Sequence, residues 1–378
     1  MSHASPKIVA VSDVSLGYGS PQILTLTKSL QNFYGNVPAT IFEPDQSERA
    51  SRFKDYDGIR IKRIFTSFHP HNMEGKVQYI NQVADYINAV KPDLILICNP
   101  ILLPILFKLT YRPKLTLYYM LESLSLYLNA GGWYDRCMLT LHKQAAPLID
   151  MLIFPEENRA VAEMKLLPFD KIPLAIFYNV SNTHEAKQDI AAIDERRPCI
   201  LYSGTIETGS TFAEYYSYPE ISHIPIDMFG YFTGADREKL KESLFNSQSQ
   251  VAYKGYIDSA DLNAIRKYYA YSICMWAPTT NSQLYAAPNK FFEAIADGVP
   301  PIVAPHPQCK MLVERYECGI LMKDWSFDAF KDAVNYAMDI FGTERYEKLV
   351  ANCQKAVLHE LNVDVQFEKV KRLLPATL

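Results

Sequence analysis

Residues 284–304 read LYAAPNKFFEAIADGVPPIVA, a helix held between two punctuation marks and followed almost at once by a strand. Pro288 suits the first helical position, where its missing N–H costs nothing. Gly298 suits the left-handed stop just past the helix end. Phe291, Phe292, Ala294 and Ile295 give the helix an apolar surface, and 301–304 reads as a short buried strand. A tight helix-to-strand step of this kind belongs to a parallel α/β layer. Lys290 and Glu293 lie three apart and so share one side of the helix. A helix N-terminus is already an anion site through its free N–H groups and its dipole. A cation and a carboxylate placed there suit a phosphate and a ribose respectively. The plain structural alternative is an αβ core unit with a surface Lys–Glu pair.

Outward from this stretch, apolar runs and helical patterns alternate along most of the chain. Strands are expected at 7–12, 39–42, 59–65, 94–98, 115–119, 151–154 and 175–177, with a helix at 21–33 between the first two. A helix through Val77, Ile80, Ala84 and Ile87 is ended by Pro92. The loop DVSLGYGS at 13–20 follows the first strand, and its Gly17 and Gly19 would let backbone approach a ligand closely. Glu122 stands just after the strand at 115–119. A polar residue at the carboxyl end of a parallel strand faces the crevice where ligands bind, so Glu122 is the acid/base or acceptor-contact candidate. Residues 181–198, SNTHEAKQDIAAIDERRP, read as a linker. The pattern then restarts, with strands at 199–203, 226–230, 251–255 and 273–275 and a helix at 259–269. Ser326 caps a helix carrying Phe327, Phe330, Val334, Ala337 and Phe341 along one face.

Two short motifs suggest metal and are outweighed. Asp55-Tyr56-Asp57 is a D-x-D, but Asp57-Gly58 looks like a turn feeding the next strand. His69-Pro70-His71 has no third ligand near it in sequence. No metal is expected.

The 378 residues are too many for one ordinary domain and suit two. Apolar residues make up 48%, enough for substantial cores, and the formal net charge of -4 offers no basic field for nucleic acid. Seven cysteines without a CxxC pair point to free thiols in a reducing compartment. The first residues, MSHASPKIVAVS, carry no signal-peptide core, so a cytoplasmic location is expected. A patch of Lys108, Arg112 and Lys114 among Phe107, Leu109, Tyr111 and Leu115, directly after the apolar 101–106, suits weak contact with an anionic lipid surface. Its structural alternative is a core element with charged ends.

Pro288, Lys290, Glu293, Ala296, Gly298, Pro300 and Ile302 fall on the P-x-K-x-x-E-x-x-A-x-G-x-P-x-(I/V) pattern, and the chain resembles the GT-B glycosyltransferases, family 4 (group 1) type. The segment at 154–160, FPEENRA, resembles the P-(S/N)-E-x-x-R step that members carry before their inter-domain crossing. The resemblance implies two Rossmann-like domains facing across a cleft. These would be an acceptor-side domain at 1–184, a nucleotide-sugar domain at 185–362, and a last helix at 363–378 packing back on the first domain through Val365, Val370, Leu373 and Leu374. It implies metal-independent transfer from a nucleotide-sugar, a UDP-sugar by preference, to a glycan or lipid-linked hydroxyl, with no further cofactor. Glu293 would hold the ribose. Ser203, Gly204 and Thr205 would lie under the diphosphate, and Gly255 and Tyr256 beside the base. Tyr285, Ala286 and Ala287 would lie by the sugar, with Asn289 and Lys290 at the helix start.

Departures from the pattern fall in the same domain. Members often read G-R-x…K-G after its first strand, whereas this chain reads Gly204-Thr205-Ile206-Glu207-Thr208-Gly209. Tyr285 stands where many members carry a second glutamate, and no clear histidine serves the first domain. Lys290 would then take over the phosphate and count as catalytic beside Glu122, with Arg237 or Arg266 as the reserve cations. A GT-B protein that binds a sugar nucleotide without transfer, or an epimerase, is the competing reading.

Overall fold

The computed structural model describes residues 7–16, 20–45, 55–66, 72–124, 133–180, 190–246 and 249–378. Gly17, Gly19, His69, His71 and residues 181–189 of the expected linker lie outside the described residues. The chain divides into two compact units, Met1–Asn179 with Val363–Leu378, and Val180–Asn362. Both are α/β layers built on parallel sheets.

The sheet of the first unit contains β1 (Ile8–Val11), β2 (Ala39–Pro44), β3 (Asp55–Tyr56), β4 (Ile59–Ile64), β5 (Leu94–Cys98), β6 (Leu115–Tyr119), β7 (Met151–Phe154) and β8 (Leu174–Ile176). Their order is β3-β4-β2-β1-β5-β6-β7-β8. All neighbours run parallel except β3 and β4. That exception settles the D-x-D: Asp57 (φ 44°) and Gly58 (φ 82°) form the two-residue turn of a hairpin. The Asp57 carboxylate pairs with Lys28 at 2.9 Å. Every residue of β1, β5, β6 and β7 is buried, because helices cover both faces of a parallel sheet. Strand order reverses between β1 and β5, which makes their carboxyl ends the switch point of this sheet. The last helix, Val363–Lys371, belongs to this unit. Gln366 Oε1 accepts the Tyr178 N–H at 3.2 Å, and Phe367 meets Phe33 edge-on at 6.1 Å. Val363, Phe367 and Val370 are buried, whereas Leu373 is 42% exposed.

The second unit contains β9 (Arg197–Ile206), β10 (Ile226–Phe232), β11 (Val251–Gly255), β12 (Tyr269–Cys274), β13 (Pro301–Val303) and β14 (Ile320–Leu321). They form one parallel sheet in the order β11-β10-β9-β12-β13-β14. The helix expected to reach 269 stops at Arg266, and Tyr269 instead opens β12. The run Tyr-Ala-Tyr-Ser-Ile-Cys is buried throughout, and aromatic residues favour a pleated, covered surface. Helices at Arg237–Asn246 and Pro307–Tyr316 have no counterpart in the sequence reading.

The helix that began the sequence reading spans Asn289–Ala296. Pro288 is its N-cap in extended conformation (φ −75°, ψ 122°) and not its first helical residue, a shift of one position. The end is a Schellman stop. Gly298 is left-handed (φ 66°), its N–H reaches the Ile295 carbonyl at 3.0 Å, and the Val299 N–H reaches Ala294 at 2.8 Å.

β9 and β10 meet through two glycines in register, Gly204 (φ 129°) and Gly230 (φ 148°). A Cβ on Gly230 would stand 1.7 Å from the Gly204 carbonyl oxygen, which is backbone and cannot turn aside. Gly230→Ala is therefore expected to destabilise the chain by at least ~3 kcal/mol in urea unfolding. A loss below ~1 kcal/mol would show that the two strands can part at this point.

Candidate functional site

Each unit gathers chemistry-bearing side chains at the carboxyl ends of its central strands. In the second unit the centre of the group is Lys290, in the first turn of the Asn289–Ala296 helix. Its Nζ donates to the Ser203 carbonyl at 3.0 Å, near the end of β9. The ammonium also lies 4.2 Å from the centre of the Trp276 ring and 4.7 Å from that of Tyr202. A Cβ on Gly204 would come within 3.6 Å of Nζ, so the glycine leaves the ammonium room. Burial lowers the Lys290 pKa from 10.5 to about 8. The rings offer the cation their negative faces but no full countercharge.

Glu293 does not turn to Lys290. Its Oε2 accepts from Arg266 Nη2 at 2.7 Å. The same guanidinium reaches Asp297 through Nη1 at 2.7 Å and Asn263 Oδ1 at 2.8 Å. Arg266 is buried, and its charge holds both carboxylates of the helix. Desolvation raises the Asp297 pKa, with Arg266 opposing the rise. This arrangement removes Arg266 as a reserve cation for a diphosphate. Arg237 stands in an exposed pair with Glu238 at 3.3 Å. The surface Lys–Glu pair of the plain structural reading is not formed either.

Of the remaining residues singled out in this unit, Ser203, Gly204 and Asn289 adjoin Lys290. Ser203 is buried, and Gly204 and Thr205 are exposed at the strand end. Asn289 has a buried Oδ1 with no hydrogen-bond partner, the kind of orphan acceptor that a ligand or water satisfies. Tyr285 closes the turn of helix after Asn281–Leu284, and Ala287 is buried just before Pro288. Gly255 (φ 86°) ends β11, and Tyr256 stacks on Tyr231 at 4.4 Å, away from Lys290 at the edge of the sheet. Glu207, in the loop where related patterns hold bases, is fastened by Ser210 Oγ at 2.6 Å.

Sequence reasoning missed His306. It is fully buried beyond β13. Its Nε2 accepts the Trp276 N–H at 3.2 Å and its Nδ1 donates to the Leu284 carbonyl at 3.2 Å, since a backbone N–H can only donate and a carbonyl can only accept. Burial pushes its pKa down to about 4, so the ring is neutral. It ties the loop from Trp276 to Leu284, which carries the aromatic ring beside the Lys290 ammonium. An isolated histidine in PHPQC offers little sign of this in sequence.

In the first unit, Asp13, Asn99 and Glu122 follow β1, β5 and β6. Asn99 Nδ2 donates to both Asp13 oxygens at 2.9 and 3.1 Å, and its Oδ1 accepts the Glu122 N–H at 2.9 Å. Asn99 has a positive φ of 70°, an uncommon conformation for a side-chain-bearing residue. Burial, with a smaller push from Glu122, raises Asp13 to about 7. Glu122 keeps an exposed side chain but is ringed by protein, which raises its carboxyl against the pull of Arg159. Arg159, from the PEENR step, is buried and donates to the Leu121 carbonyl. Sequence reasoning named Glu122 and missed Asp13, although Asp13 also stands just past a parallel strand.

Among the described residues, no three His, Cys, Asp or Glu side chains gather as a metal set. No described helix is long and apolar enough to cross a membrane. Two cations of the 107–115 patch are engaged: Arg112 bonds the Leu148 carbonyl and Asp150, and Lys114 pairs with Asp93 at 3.1 Å.

Neither a family model nor a curated protein matches this chain. Solved structures do. A sucrose-phosphate synthase from Thermosynechococcus elongatus is similar with a TM-score of 0.71 at 15% identity, over 97% of this chain and 98% of that one. The Anabaena protein Alr3699/HepE, solved with UDP and glucose, gives 0.71 at 13% identity over the same shares. The lipopolysaccharide outer core galactosyltransferase WaaB gives 0.61 at 12% identity, again over 97% and 98%. These neighbours are GT-B glycosyltransferases, and the likeness shows that this chain has their two-domain α/β fold.

The lowered Lys290 pKa sets a stability slope. Between pH ~8 and 10.5 the unfolded chain holds a proton on this lysine that the folded chain has released. Stability from this group therefore rises with pH across that window and is flat below it. Urea unfolding of the native chain and of Lys290→Met across pH 7.5 to 10.5 is expected to lose this slope in the variant. Parallel curves would show that the ammonium keeps its ordinary affinity for protons.

Proposed function

We propose that this chain is a glycosyltransferase of the family 4 type that moves a sugar from a nucleotide-sugar, a UDP-sugar by preference, to a hydroxyl on a glycan or lipid-linked acceptor, without a metal. The observation that carries the reading is the Lys290 ammonium at the carboxyl end of β9 beside the bare Gly204. An ammonium has three N–H groups, and one is given to Ser203. The others are donors for the oxygens of a leaving diphosphate, whose charge grows as the sugar–oxygen bond breaks. Fixed donors of this kind favour the transition state over the bound substrate. The helix N-terminus adds its partial charge at the same place.

Glu293 suits the ribose because Arg266 fixes one carboxylate oxygen and leaves the other for hydroxyl donors. Asn289 Oδ1 is a further unmet acceptor. Gly255 and Tyr256 suit the base, and Tyr285 and Ala287 the sugar. In the first unit, Asp13 and Glu122 are the groups able to take a proton from a hydroxyl acceptor. An Asp13 raised to about 7 holds or releases a proton near neutrality, as a general base must. The same reading places the protein in the cytoplasm, in keeping with its seven free cysteines, with any membrane contact peripheral.

The binding-only reading draws on one observation, the acidic Glu207 held in the loop after β9. Donor turnover separates the two. Lys290→Ala is expected to lower kcat for transfer, or for slow donor hydrolysis, by about 10- to 100-fold with a smaller change in KM. Lys290→Arg is expected to restore only part, since a planar fork does not replace a compact ammonium between two rings. Glu293→Ala is expected to weaken the nucleotide by ~1.5–3 kcal/mol in calorimetry. Donor binding without any turnover in the native chain would favour the binding protein, and an unchanged kcat in Lys290→Ala would overturn the assignment of the diphosphate.

A further inference from the structure

The second unit carries a cavity of about 540 Å³ that the Lys290 site does not use. It opens at the amino ends of β9 and β12, because Arg197 and Tyr269 are the first residues of those strands. Ser203, the partner of Lys290, lies six residues further along β9, about 20 Å at ordinary strand rise. The two places are therefore separate ends of one strand.

The polar end of the cavity is built around Asp227. This carboxylate is 6% exposed. It accepts from Tyr269 Oη at 2.8 Å and from Arg197 Nη1 at 3.3 Å, and Lys254 Nζ stands 3.4 Å from its other oxygen. One buried carboxylate thus holds two cations. Both keep open surface, Arg197 at 51% and Lys254 at 43%. The other acid of the lining, Glu195, has Oε2 occupied by the Ala192 N–H at 3.0 Å. Lys254 is placed by a bulge: Met228 pairs with Tyr253 and Phe229 with Gly255, leaving Lys254 as the extra residue. Bulges re-aim side chains and are over-represented beside binding sites.

The rest of the lining is flat and apolar. The Arg197 guanidinium lies over the Tyr269 ring at 4.1 Å. Phe229 and Ile265 form a wall with Tyr268, which is 39% exposed. Two cations at one end and aromatic surface at the other match an anionic head on a planar body. The volume lies within the range of small-molecule sites.

We propose that this groove is a second ligand site, for a small oxyanion carried on a flat apolar body of nucleoside-monophosphate size. Arg197 and Lys254 take the oxyanion, preset by Asp227. Phe229, Ile265 and Tyr268 take the flat body. The site stands whether or not the chain transfers sugar.

Calorimetry of the whole chain tests it, with AMP, UMP and inorganic phosphate as probes. The monophosphates are expected to bind, and Arg197→Gln with Lys254→Gln is expected to weaken this event about tenfold or more. Lys290→Ala should leave it unchanged. Inorganic phosphate should bind about tenfold more weakly than either monophosphate, for want of the aromatic wall. Tyr268→Ser should reduce the monophosphates and spare phosphate. Should the double variant unfold, Lys254→Gln alone carries the test, its side chain being well exposed. Binding kept by these variants or lost in Lys290→Ala would assign the nucleotide to the other site. No binding up to about 10 mM would overturn the proposal, and equal affinity for inorganic phosphate would overturn its aromatic half.

Discussion

The position of one ammonium orders the second unit. Lys290 has exchanged part of its hydration for a backbone carbonyl, two aromatic faces and the space beside a glycine. A lysine will shed its proton where its countercharge is poor, and here burial brings its pKa to about 8. To hold it there, four segments must meet. β9 supplies Ser203 and Tyr202, β12 leads out to Trp276, and the helix start supplies Lys290 itself. Beyond β13, His306 fastens the Trp276 loop. The glycine pair at 204 and 230 lets β9 and β10 approach closely at the strand end that carries the Ser203 carbonyl.

The carboxylates of the same helix are handled separately. Arg266 engages Glu293 and Asp297 at 2.7 Å each, so the negative charge lies on one side of the helix and Lys290 on another. A direct Lys290–Glu293 pair would have turned the two groups toward each other and lowered the capacity of each for a ligand. The buried arginine instead fixes the carboxylate, and the carbonyl and rings fix the ammonium. Breaking a buried pair by removing one partner costs ~3–5 kcal/mol. Arg266 is therefore a structural cation, and Arg-to-Gln there would test the fold before it tested chemistry.

How much of this was legible depended on range. The Pro288–Gly298 punctuation and the adjoining strand are local signals, and they located a helix to within one residue. The order of strands followed from apolar runs, since parallel strands buried on both faces leave little alternation to misread. The helix near 259–269 was overrun because Tyr268 and Tyr269 continue its apolar pattern, and only the sheet decides that Tyr269 is a strand. Partners distant in sequence were not legible. Arg266 and Glu293 are 27 residues apart. His306 meets Trp276 across 30. Asp13 meets Asn99 across 86. No local pattern encodes such pairs, and each decides whether a named side chain is free for a ligand.

The first unit shows the same rule from its other side. Asn99 spends backbone strain of ~1–3 kcal/mol on a conformation that most side-chain-bearing residues avoid. In that conformation its amide divides cleanly, with the nitrogen on both oxygens of Asp13 and the oxygen on the Glu122 N–H. At φ 70° and ψ 154° Asn99 lies outside the left-handed helical well that asparagine favours, and its amide offers both a donor and an acceptor. Asp13 could be held as well by a lysine, but that would drive its pKa down and end its use near neutrality. The neutral amide of Asn99 also lowers the Asp13 pKa, but burial outweighs it. Burial, with a smaller push from Glu122, outweighs the pull of Asn99 and Lys76 and brings Asp13 to about 7. Lys290 is held on the same principle, by a carbonyl and not by a carboxylate. In both units the titratable group at the strand ends is fixed by partners that leave its charge unsatisfied.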